Sequence, residues 1–371
     1  MEVAHKPRPS ASFIRHKVVK DSVILVGGFP EPVGGVTTFV RRLAVSDRRV
    51  EEVVDVCFGS DKQVPPGYSG KYRALNSKWR GFIYLFLKMP AWEDRSLHFN
   101  FSNLKSIAFL TLLPKFSTKW ILMLHHAVLQ TNLPAFVVQQ LLRRVDYVVC
   151  VNNSQRETYR RYGVAEEKLI MLSSYVRPFL WAPEESFRRE VDVFFSARPT
   201  FIASGYPTTI YNLDWCVRFV RSFPQYQLAL FVYGEGPKKE EIQAQVHSLE
   251  NVRVYWDQKE QNFNYALSKA TCYLRPNTKD SFGIAVADAV NYGVTVLASD
   301  VCPRYQGAST FAITTYESFE SALLELLDHP ALGENTTATG ITPFSYDFLT
   351  GRASRIVSDM VQPASEKYPL C

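Results

Sequence analysis

Short apolar runs alternate with helically spaced apolar residues along most of the chain. The first run, at 23–28, ends in two glycines and is typical of a buried parallel strand, and residues 37–45 then follow helical spacing. The first half of the chain continues this alternation, with strands expected at 53–58, 95–99, 120–124 and 147–151 and helices at 104–113, 136–144 and 154–162. This pattern predicts a doubly wound α/β domain.

The same alternation restarts after a loop-rich stretch at 173–189. The expected strands lie at 191–196, 227–233, 252–256, 272–275 and 294–299, and the helices at 213–222, 238–247, 263–269, 282–292 and 318–327. Two Rossmann-like α/β domains of similar size are therefore predicted. Ligands of such sheets bind beyond the carboxyl ends of the strands, so the cleft between the domains is the expected site.

The predicted organisation has four parts. Residues 1–20 form a basic disordered leader, 21–184 the first domain, 185–343 the second domain, and 344–371 end in a helix that packs back on the first domain. The leader has no apolar segment of the kind found in secretory signals. Nowhere does the chain contain the roughly 18 uninterrupted apolar residues of a membrane-spanning helix. A cytoplasmic protein is expected.

Charge and cysteine content narrow the class of protein further. The net charge of +6 hides a basic half, with 26 Lys and Arg against 14 Asp and Glu in residues 1–180, and an acidic half, with 16 against 22. Such a split indicates anionic partners for the first half, although solvated charged faces alone also produce it. The six cysteines show no CxxC or zinc-like spacing, which favours a reducing compartment and argues against a structural metal.

Two glycine-containing loops each connect a strand to a helix. The first holds Gly34 and Gly35, where a backbone without side chains and a free helix N-terminus would suit an anion. It is neither a GxGxxG nor a Walker A loop, and a tight turn explains it equally well. The second holds Gly236 before Pro237, and without further context it indicates only a turn.

The segment 280–290 is the most informative. Its helix is apolar almost all round and should be buried, yet it contains Asp288. A buried carboxylate needs hydrogen-bond donors, so Asp288 faces either a structural donor or ligand hydroxyls in the cleft. Asp280 precedes the helix, where it either interacts with the helix dipole or reaches a polyhydroxy ligand.

Two further residues follow expected strands at the edge where ligands bind. Arg198 comes directly after the strand expected at 191–196, and a guanidinium suits phosphate oxygens, although most arginines are merely exposed. His125 follows the strand at 120–124, together with His126, and could donate a hydrogen bond into the cleft or simply end the strand.

In their order, these features resemble the family 4 retaining glycosyltransferases of the GT-B fold. Asp280 and Asp288 lie at the spacing of that family's Glu-x7-Glu pair, and the stretch 293–300 resembles the strand that follows it. Further similarity lies in the segments 34–35, 151–154, 163–169, 234–237 and 344–346. Each part is weak alone, but the combination is specific.

The resemblance implies a sugar transferase with a nucleotide-sugar donor, UDP- or GDP-linked, on the second domain and an acceptor on the first. It implies no cofactor or metal, because arginine, lysine and helix N-termini take the electrostatic role. The site residues that it implies are Asp280 and His125 at the sugar, Arg198 at the diphosphate, Asp288 at the ribose, Gly35 with Gly34 approaching from the first domain, Ser204 and Gly236 at the donor, and the amides of Phe282, Gly283 and Ile284 at sugar and phosphate.

The chain departs from the family pattern at three points. Both glutamates of the pair are aspartates, the family's lysine falls on Ser204, and the proline of the family's G-x-P turn falls on Thr295. These departures motivate a second hypothesis, a non-catalytic protein that binds nucleotide-sugars. A nucleotide-sugar epimerase of the same fold is a third hypothesis.

The basic half also receives an interpretation from the resemblance. Related enzymes often act on glycan or lipid-linked acceptors at the inner membrane face, held by a cationic surface. The candidates for that contact are Arg41, Arg42, Arg48 and Arg49 on or after the first helix, residues 71–80 with Trp79, and residues 82–92, the alternative being a soluble basic surface. A nucleic-acid binder is not expected, because no helix-turn-helix, RRM or zinc signature is present.

Overall fold

The computed structural model describes residues 22–30, 33–56, 64–102, 108, 110–125, 133–179, 181–280, 282–329 and 344–350. The expected leader at 1–20, much of the helix expected at 104–113, and the end of the chain lie outside these residues. No helix in this described part is long and apolar enough to cross a membrane.

The first domain contains a seven-stranded parallel sheet. Its strands are β1 Val23–Gly27, β2 Val50–Asp55, β3 Lys71–Ala74, β4 Ser96–Phe101, β5 Lys119–Leu124, β6 Tyr147–Cys150 and β7 Leu169–Met171. They lie side by side in the order β3-β2-β1-β4-β5-β6-β7. The central strands are fully buried because helices cover both faces, which explains their continuous apolar runs.

Four helices of the described residues accompany this sheet. They are α1 Gly35–Ser46, α2 Lys78–Lys88, α3 Ala135–Arg144 and α4 Asn153–Arg161. The last of these begins at Asn152, whose side chain accepts a hydrogen bond from the amide of Gln155, as an N-cap residue does. The strand β3, the helix α2 and the strand β7 were not predicted from the sequence.

The second domain contains a six-stranded parallel sheet. Its strands are β8 Thr200–Gly205, β9 Gln227–Val232, β10 Val252–Trp256, β11 Cys272–Arg275, β12 Thr295–Ser299 and β13 Ser309–Phe311, in the order β10-β9-β8-β11-β12-β13. Its helices are α5 Glu185–Ala197, α6 Leu213–Ser222, α7 Lys239–Val246, α8 Glu260–Leu267, α9 Ile284–Asn291 and α10 Tyr316–Asp328. Two parallel sheets flanked by helices confirm the predicted fold class.

The prediction of a strand at 191–196 is wrong. This segment belongs to α5, in which Phe187, Val191 and Phe194 form the buried stripe and Val193 is exposed. The strand comes afterwards, as the fully buried β8. Both segments are short apolar runs, and periodicity alone does not separate a strand from half of an amphipathic helix at that length.

Residues 344–350 return from the second domain to the first. Phe344 and Tyr346 are buried among residues of the first domain, and a 3₁₀ turn over Tyr346–Thr350 follows. Phe344 packs edge-on against Phe39 of α1 at 5.2 Å, and Tyr346 shares a 2.5 Å hydrogen bond with Nδ1 of His98 on β4. This segment therefore completes part of the core of the first domain.

Candidate functional site

Each sheet has one place where the direction of strand order reverses. In the first sheet it lies between β1 and β4, and in the second between β8 and β11. Parallel α/β sheets bind ligands beyond the carboxyl ends of the strands at such points. In the second sheet, the strand ends at this place are Gly205 and Arg275, and the loop after Arg275 leads through Asp280 to α9.

Asp280 is held between two arginines. Arg275 donates from Nε and Nη2 to the two carboxylate oxygens, at 2.6 and 3.0 Å. Arg304 donates from Nη1 to Oδ2 at 2.6 Å. Asp280 and Arg304 are buried, and Arg275 is mostly so. The carboxylate is thus fixed at the switch point before any ligand arrives.

Electrostatics keeps this carboxyl group ionised. Burial by itself raises the pKa of Asp280, but the charges and hydrogen bonds of Arg275 and Arg304 lower that pKa by more, so it lies below its usual range. The same pairing holds the pKa of Arg275 well above its ordinary value, against the lowering effect of burial. An ionised carboxylate only accepts hydrogen bonds, so it can receive them from the hydroxyl groups of a ligand.

The cluster continues as a hydrogen-bonded chain across three strand ends. Arg275 donates from Nη1 to the hydroxyl of Tyr273 at 3.2 Å, which in turn bonds to the hydroxyl of Ser204 at 2.8 Å. On the other side, Arg304 donates to the carbonyl oxygen of Ser299 at 2.7 Å. The site residues from β8 to β12 are therefore mutually positioned rather than independent.

Asp288 faces a structural donor. Both of its oxygens accept from Arg42 of α1 in the first domain, Oδ1 from Nη1 at 2.9 Å and Oδ2 from Nη2 at 2.7 Å. Arg42 also bonds to the carbonyl oxygen of Val176 at 3.0 Å and to Glu260 at 2.5 Å. Of the two alternatives for this buried carboxylate, the structure shows the structural one, and ribose binding stays a prediction.

Arg198 does not lie where the sequence placed it. Because the helix α5 runs through Ala197, Arg198 precedes β8 and stands at the amino edge of the sheet. It donates to the carbonyl oxygen of Pro224 at 2.6 Å. The carboxyl edge of β8 instead carries Ser204 and Tyr206. The predicted contact of Arg198 with the diphosphate is therefore wrong, because Arg198 lies at the opposite edge of the sheet.

His125 ends β5 at the carboxyl edge of the first sheet, as predicted. It is buried, its Nε2 lies 3.2 Å from Oδ1 of Asn100, and its ring packs against Phe39 at 4.8 Å. Burial lowers the pKa of His125 to about 3, so the imidazole is neutral at ordinary pH. Its contact with a sugar stays a prediction, and His126 lies outside the described residues.

The glycines of the two loops differ in what surrounds them. Gly35 opens α1, and a Cβ added there would meet no atom within 4 Å. A Cβ at Gly34, the N-cap, would only touch Oγ1 of Thr37, at 4.0 Å. By contrast, a Cβ at Gly236 would collide with the carbonyl oxygen of Pro207. Packing therefore requires glycine at Gly236, whereas the space beside Gly35 is open to a ligand.

The start of α9 brings together the remaining predicted donor residues. Gly283 is its N-cap, with φ of 71°, a conformation that suits glycine, and a Cβ there would lie 3.1 Å from Nη1 of Arg304. Phe282 packs against Tyr305 at 4.6 Å, while Ile284 packs against the core of the first domain. The helix N-terminus thus lies beside the arginine cluster and near the first domain.

Three arginines of this arrangement were not predicted in these positions: Arg275 and Arg304 had no predicted role, and Arg42, expected on a cationic surface, is buried and paired with Asp288. Arg42 lies on the buried face of α1 beside Phe39 and Leu43, which is an unusual position for a cation and a usable signal. Arg275 ends a buried strand five residues before Asp280. No signal in the sequence pointed to Arg304, because its contact depends on the fold of the loop after β12.

One known protein family matches the part of the chain that contains this site. Residues 198–329 match the family model described as glycosyl transferases, group 1. That range covers most of the second domain, including the whole arginine cluster. Among curated protein sequences, none matches the chain.

Solved structures share the two-domain architecture at low sequence identity. HepE from Anabaena in complex with UDP-glucose covers 84% of this chain and 91% of its own, at 11% identity and a TM-score of 0.65. Sucrose-phosphate synthase from Thermosynechococcus elongatus covers 84% and 91%, at 17% identity and a TM-score of 0.59. The catalytic domain of starch synthase IV from Arabidopsis thaliana, bound to ADP and acarbose, covers 85% and 93%, at 14% and 0.59. These likenesses confirm the GT-B fold.

Proposed function

We propose that this chain, whose second domain is that of a group 1 glycosyl transferase, moves a sugar from a nucleotide-sugar donor to an acceptor. One observation carries the proposal: an ionised Asp280, fixed by Arg275 and Arg304, stands at the switch point of the second sheet. A carboxylate held there accepts hydrogen bonds from sugar hydroxyls, and the cations beside it suit the donor phosphates.

In this proposal the two domains contact the ligand with different residues. The second domain holds the donor, with the amides of Gly283 and Ile284 at the N-terminus of α9 facing the diphosphate. The first domain brings the backbone at Gly35, where a side chain is absent and space is open, and His125, which follows β5, two strands away from β1 in the sheet. HepE crystallised with UDP-glucose supports a UDP-linked donor as the first to test.

We further propose transfer with retention and without a metal. The electrostatic role of a metal at the leaving diphosphate falls to the guanidinium groups and to the N-terminus of α9. The leaving diphosphate would then accept the proton of the acceptor hydroxyl on the face from which it departs. No second carboxylate in the arrangement of a glycosidase pair is needed for that route.

The acceptor is proposed to be a glycan or a lipid-linked saccharide presented at an anionic membrane surface. The helix α2 supports this, because Trp79 and Leu87 are 75% and 69% exposed, with Ile83 and Phe86 exposed beside them. Arg80 and Lys88 on the same helix are exposed as well. Exposed aromatic and aliphatic side chains flanked by cations are typical of helices that lie in a membrane interface.

A donor screen followed by a transfer assay tests the proposed function. UDP-, GDP-, ADP- and dTDP-sugars are compared by thermal shift, since a ligand that binds only the folded chain raises its melting temperature. With the donor that binds, release of the nucleoside diphosphate is measured for the parent and for Asp280→Asn. We expect the variant to lose at least about 100-fold in rate, as removal of one preorganised electrostatic group does.

Asp328→Asn is the matched control, because Asp328 is exposed at the end of α10, and its rate should equal that of the parent. Absence of binding and of turnover with every donor would refute the transferase. Binding without turnover would favour the non-catalytic alternative, and release of free epimerised sugar would identify an epimerase.

A further inference from the structure

The cluster around Asp280 carries an imbalance of charge. Within its contacts, the two guanidinium groups of Arg275 and Arg304 meet one carboxylate, so one positive charge is in excess. Asp280 is 7% exposed and Arg304 2%, which keeps water from screening that charge. An excess charge of this kind is costly unless an anion approaches it.

The edge of β8 supplies no cation to this place. The strand ends in Ser204 and Gly205, and the residues that follow are Tyr206 and Tyr211. Tyr206 donates to the carbonyl oxygen of Val33 in the first domain at 2.5 Å, so it ties the two domains at the cleft. The diphosphate arginine expected after this strand is therefore absent from the described carboxyl edge of β8.

Arg275 is the arginine that a ligand can reach. Its side chain is 13% exposed, and its guanidinium carbon lies 6.0 Å from the centroid of the Tyr211 ring, which borders the β8 edge. A guanidinium has five N–H groups, and three of those of Arg275 donate to Asp280 and Tyr273. One N–H on each terminal nitrogen is left for an incoming oxygen.

We propose that Arg275 binds the diphosphate of the donor, in place of a cation on the β8 edge, and that Asp280 and Arg304 hold its guanidinium in the required plane. This inference rests on the proposed function and deepens it by naming the phosphate-binding residue. The donor diphosphate brings the negative charge that the cluster lacks. The N-terminus of α9, at Gly283, lies beside Arg304 of the same cluster and adds a positive partial charge to it.

Calorimetric titration of the purified full chain tests the assignment. The parent, Arg275→Gln, Arg275→Lys and the control Arg218→Gln are each titrated with UDP, GDP, ADP and dTDP, with the corresponding nucleotide-sugars, with the matching nucleosides, and with inorganic pyrophosphate. Arg218 is exposed on α6, where it pairs with Glu317 at 3.5 Å and lies over the ring of Tyr316, and it has no contact with the Asp280 cluster among the described interactions. Melting temperatures without ligand report whether each variant folds.

The strength of a charge-assisted hydrogen-bond pair sets the size of the expected loss of affinity. For Arg275→Gln we expect affinity for the nucleoside diphosphate to fall about 10- to 100-fold, while affinity for the nucleoside changes less than about threefold. Arg275→Lys keeps the charge but loses the planar fork, so an intermediate loss is expected. If the glutamine variant does not fold, the lysine variant carries the test through the same comparison of diphosphate with nucleoside.

The outcomes separate this inference from the proposed function. If the parent binds a nucleoside diphosphate and the Arg275 variants bind it equally well, the inference fails and the proposed function stands. Loss of affinity for the nucleotide-sugar alone, with the diphosphate unaffected, would show that Arg275 only positions Asp280 and would also overturn the inference. If no nucleotide binds but pyrophosphate does so through Arg275, the anion site stands and the proposed function fails. If neither nucleotides nor pyrophosphate binds the parent, both fail.

Discussion

Arg42 and Asp288 join the two domains through a bidentate ion pair, with nitrogen–oxygen distances of 2.9 and 2.7 Å. Both side chains are buried, at 4% and 1% exposure, and one belongs to α1 while the other belongs to α9. The carboxylate that sequence similarity assigns to the ribose therefore has a partner within the chain. The pair fixes α9 of the second domain to α1 of the first domain.

Arg42→Ala should destabilise the protein more than Asp288→Ala does. The arginine variant leaves the buried carboxylate of Asp288 without a cation, although Glu260 keeps its ion pair with Arg41, whereas the aspartate variant leaves Arg42 paired with Glu260. Breaking a buried pair typically costs about 3–5 kcal/mol. Urea unfolding measures the free energies of unfolding of both variants.

Arg218→Ala is the control. Arg218 lies in the exposed pair with Glu317, so its loss should cost less than about 1 kcal/mol. An equal effect of all three changes would contradict this account.

Arg198→Ala should leave donor binding and turnover within about twofold of the parent, since surface substitutions away from a site have small effects. Arg198 stands at the amino edge of β8, opposite to the edge that carries Asp280. Steady-state kinetics and titration with the nucleoside diphosphate check this. A loss comparable to that of Arg275→Gln would support the original sequence assignment instead.

Gly35→Ala should change donor binding, whereas Gly236→Ala should change the stability of the fold. The added methyl at Gly35 meets no atom of the chain within 4 Å, so the melting temperature should not fall, while the KM for the donor should rise if the backbone approaches the ligand there. At Gly236 the methyl collides with the carbonyl oxygen of Pro207, and a loss of about 1–3 kcal/mol in stability is expected. Unchanged donor KM in Gly35→Ala would remove Gly35 from the site.

Stability should fall as the pH drops below about 6.5. Burial lowers the pKa of His125 to about 3 and that of His98 well below its ordinary value, so the unfolded chain binds protons that the folded chain does not. The contribution of these two histidines to the free energy of unfolding therefore rises with pH between about 3 and 6.5. Above about pH 6.5 it is constant. Asp280, whose pKa is also lowered, adds a further loss of stability below about pH 4.

Urea unfolding at pH 5 and pH 7.5 measures the difference in the free energy of unfolding between the two pH values. His125→Gln should reduce that difference, and an unchanged difference would exclude His125 as its source.

Binding to anionic vesicles should depend on the exposed face of α2. Trp79→Ser with Leu87→Ser should lower co-sedimentation with phosphatidylserine-containing vesicles several-fold, because apolar area leaves the interface. Val193→Ser, an exposed apolar residue on α5 of the second domain, is the matched control and should not change it. Equal binding by parent and double variant would show that α2 is not the membrane contact.

The sequence predicted the fold because buried parallel strands and amphipathic helices have different apolar periods. It failed where both were short, at α5 and β8, and that single error moved Arg198 from one edge of the sheet to the other. Asp280 was found from its spacing to Asp288. Its partner Arg304 was not, since a contact over 24 residues through an irregular loop leaves no periodic trace.

The return of residues 344–350 to the first domain has a consequence for how the protein is made. Phe344 and Tyr346 fill the core beside Phe39 and His98, yet the ribosome adds them after the whole second domain. The domain that is synthesised first is thus completed last. During synthesis, the surface around His98 stays uncovered until the second domain has been made, so the core of the first domain is completed only when the second domain is already present.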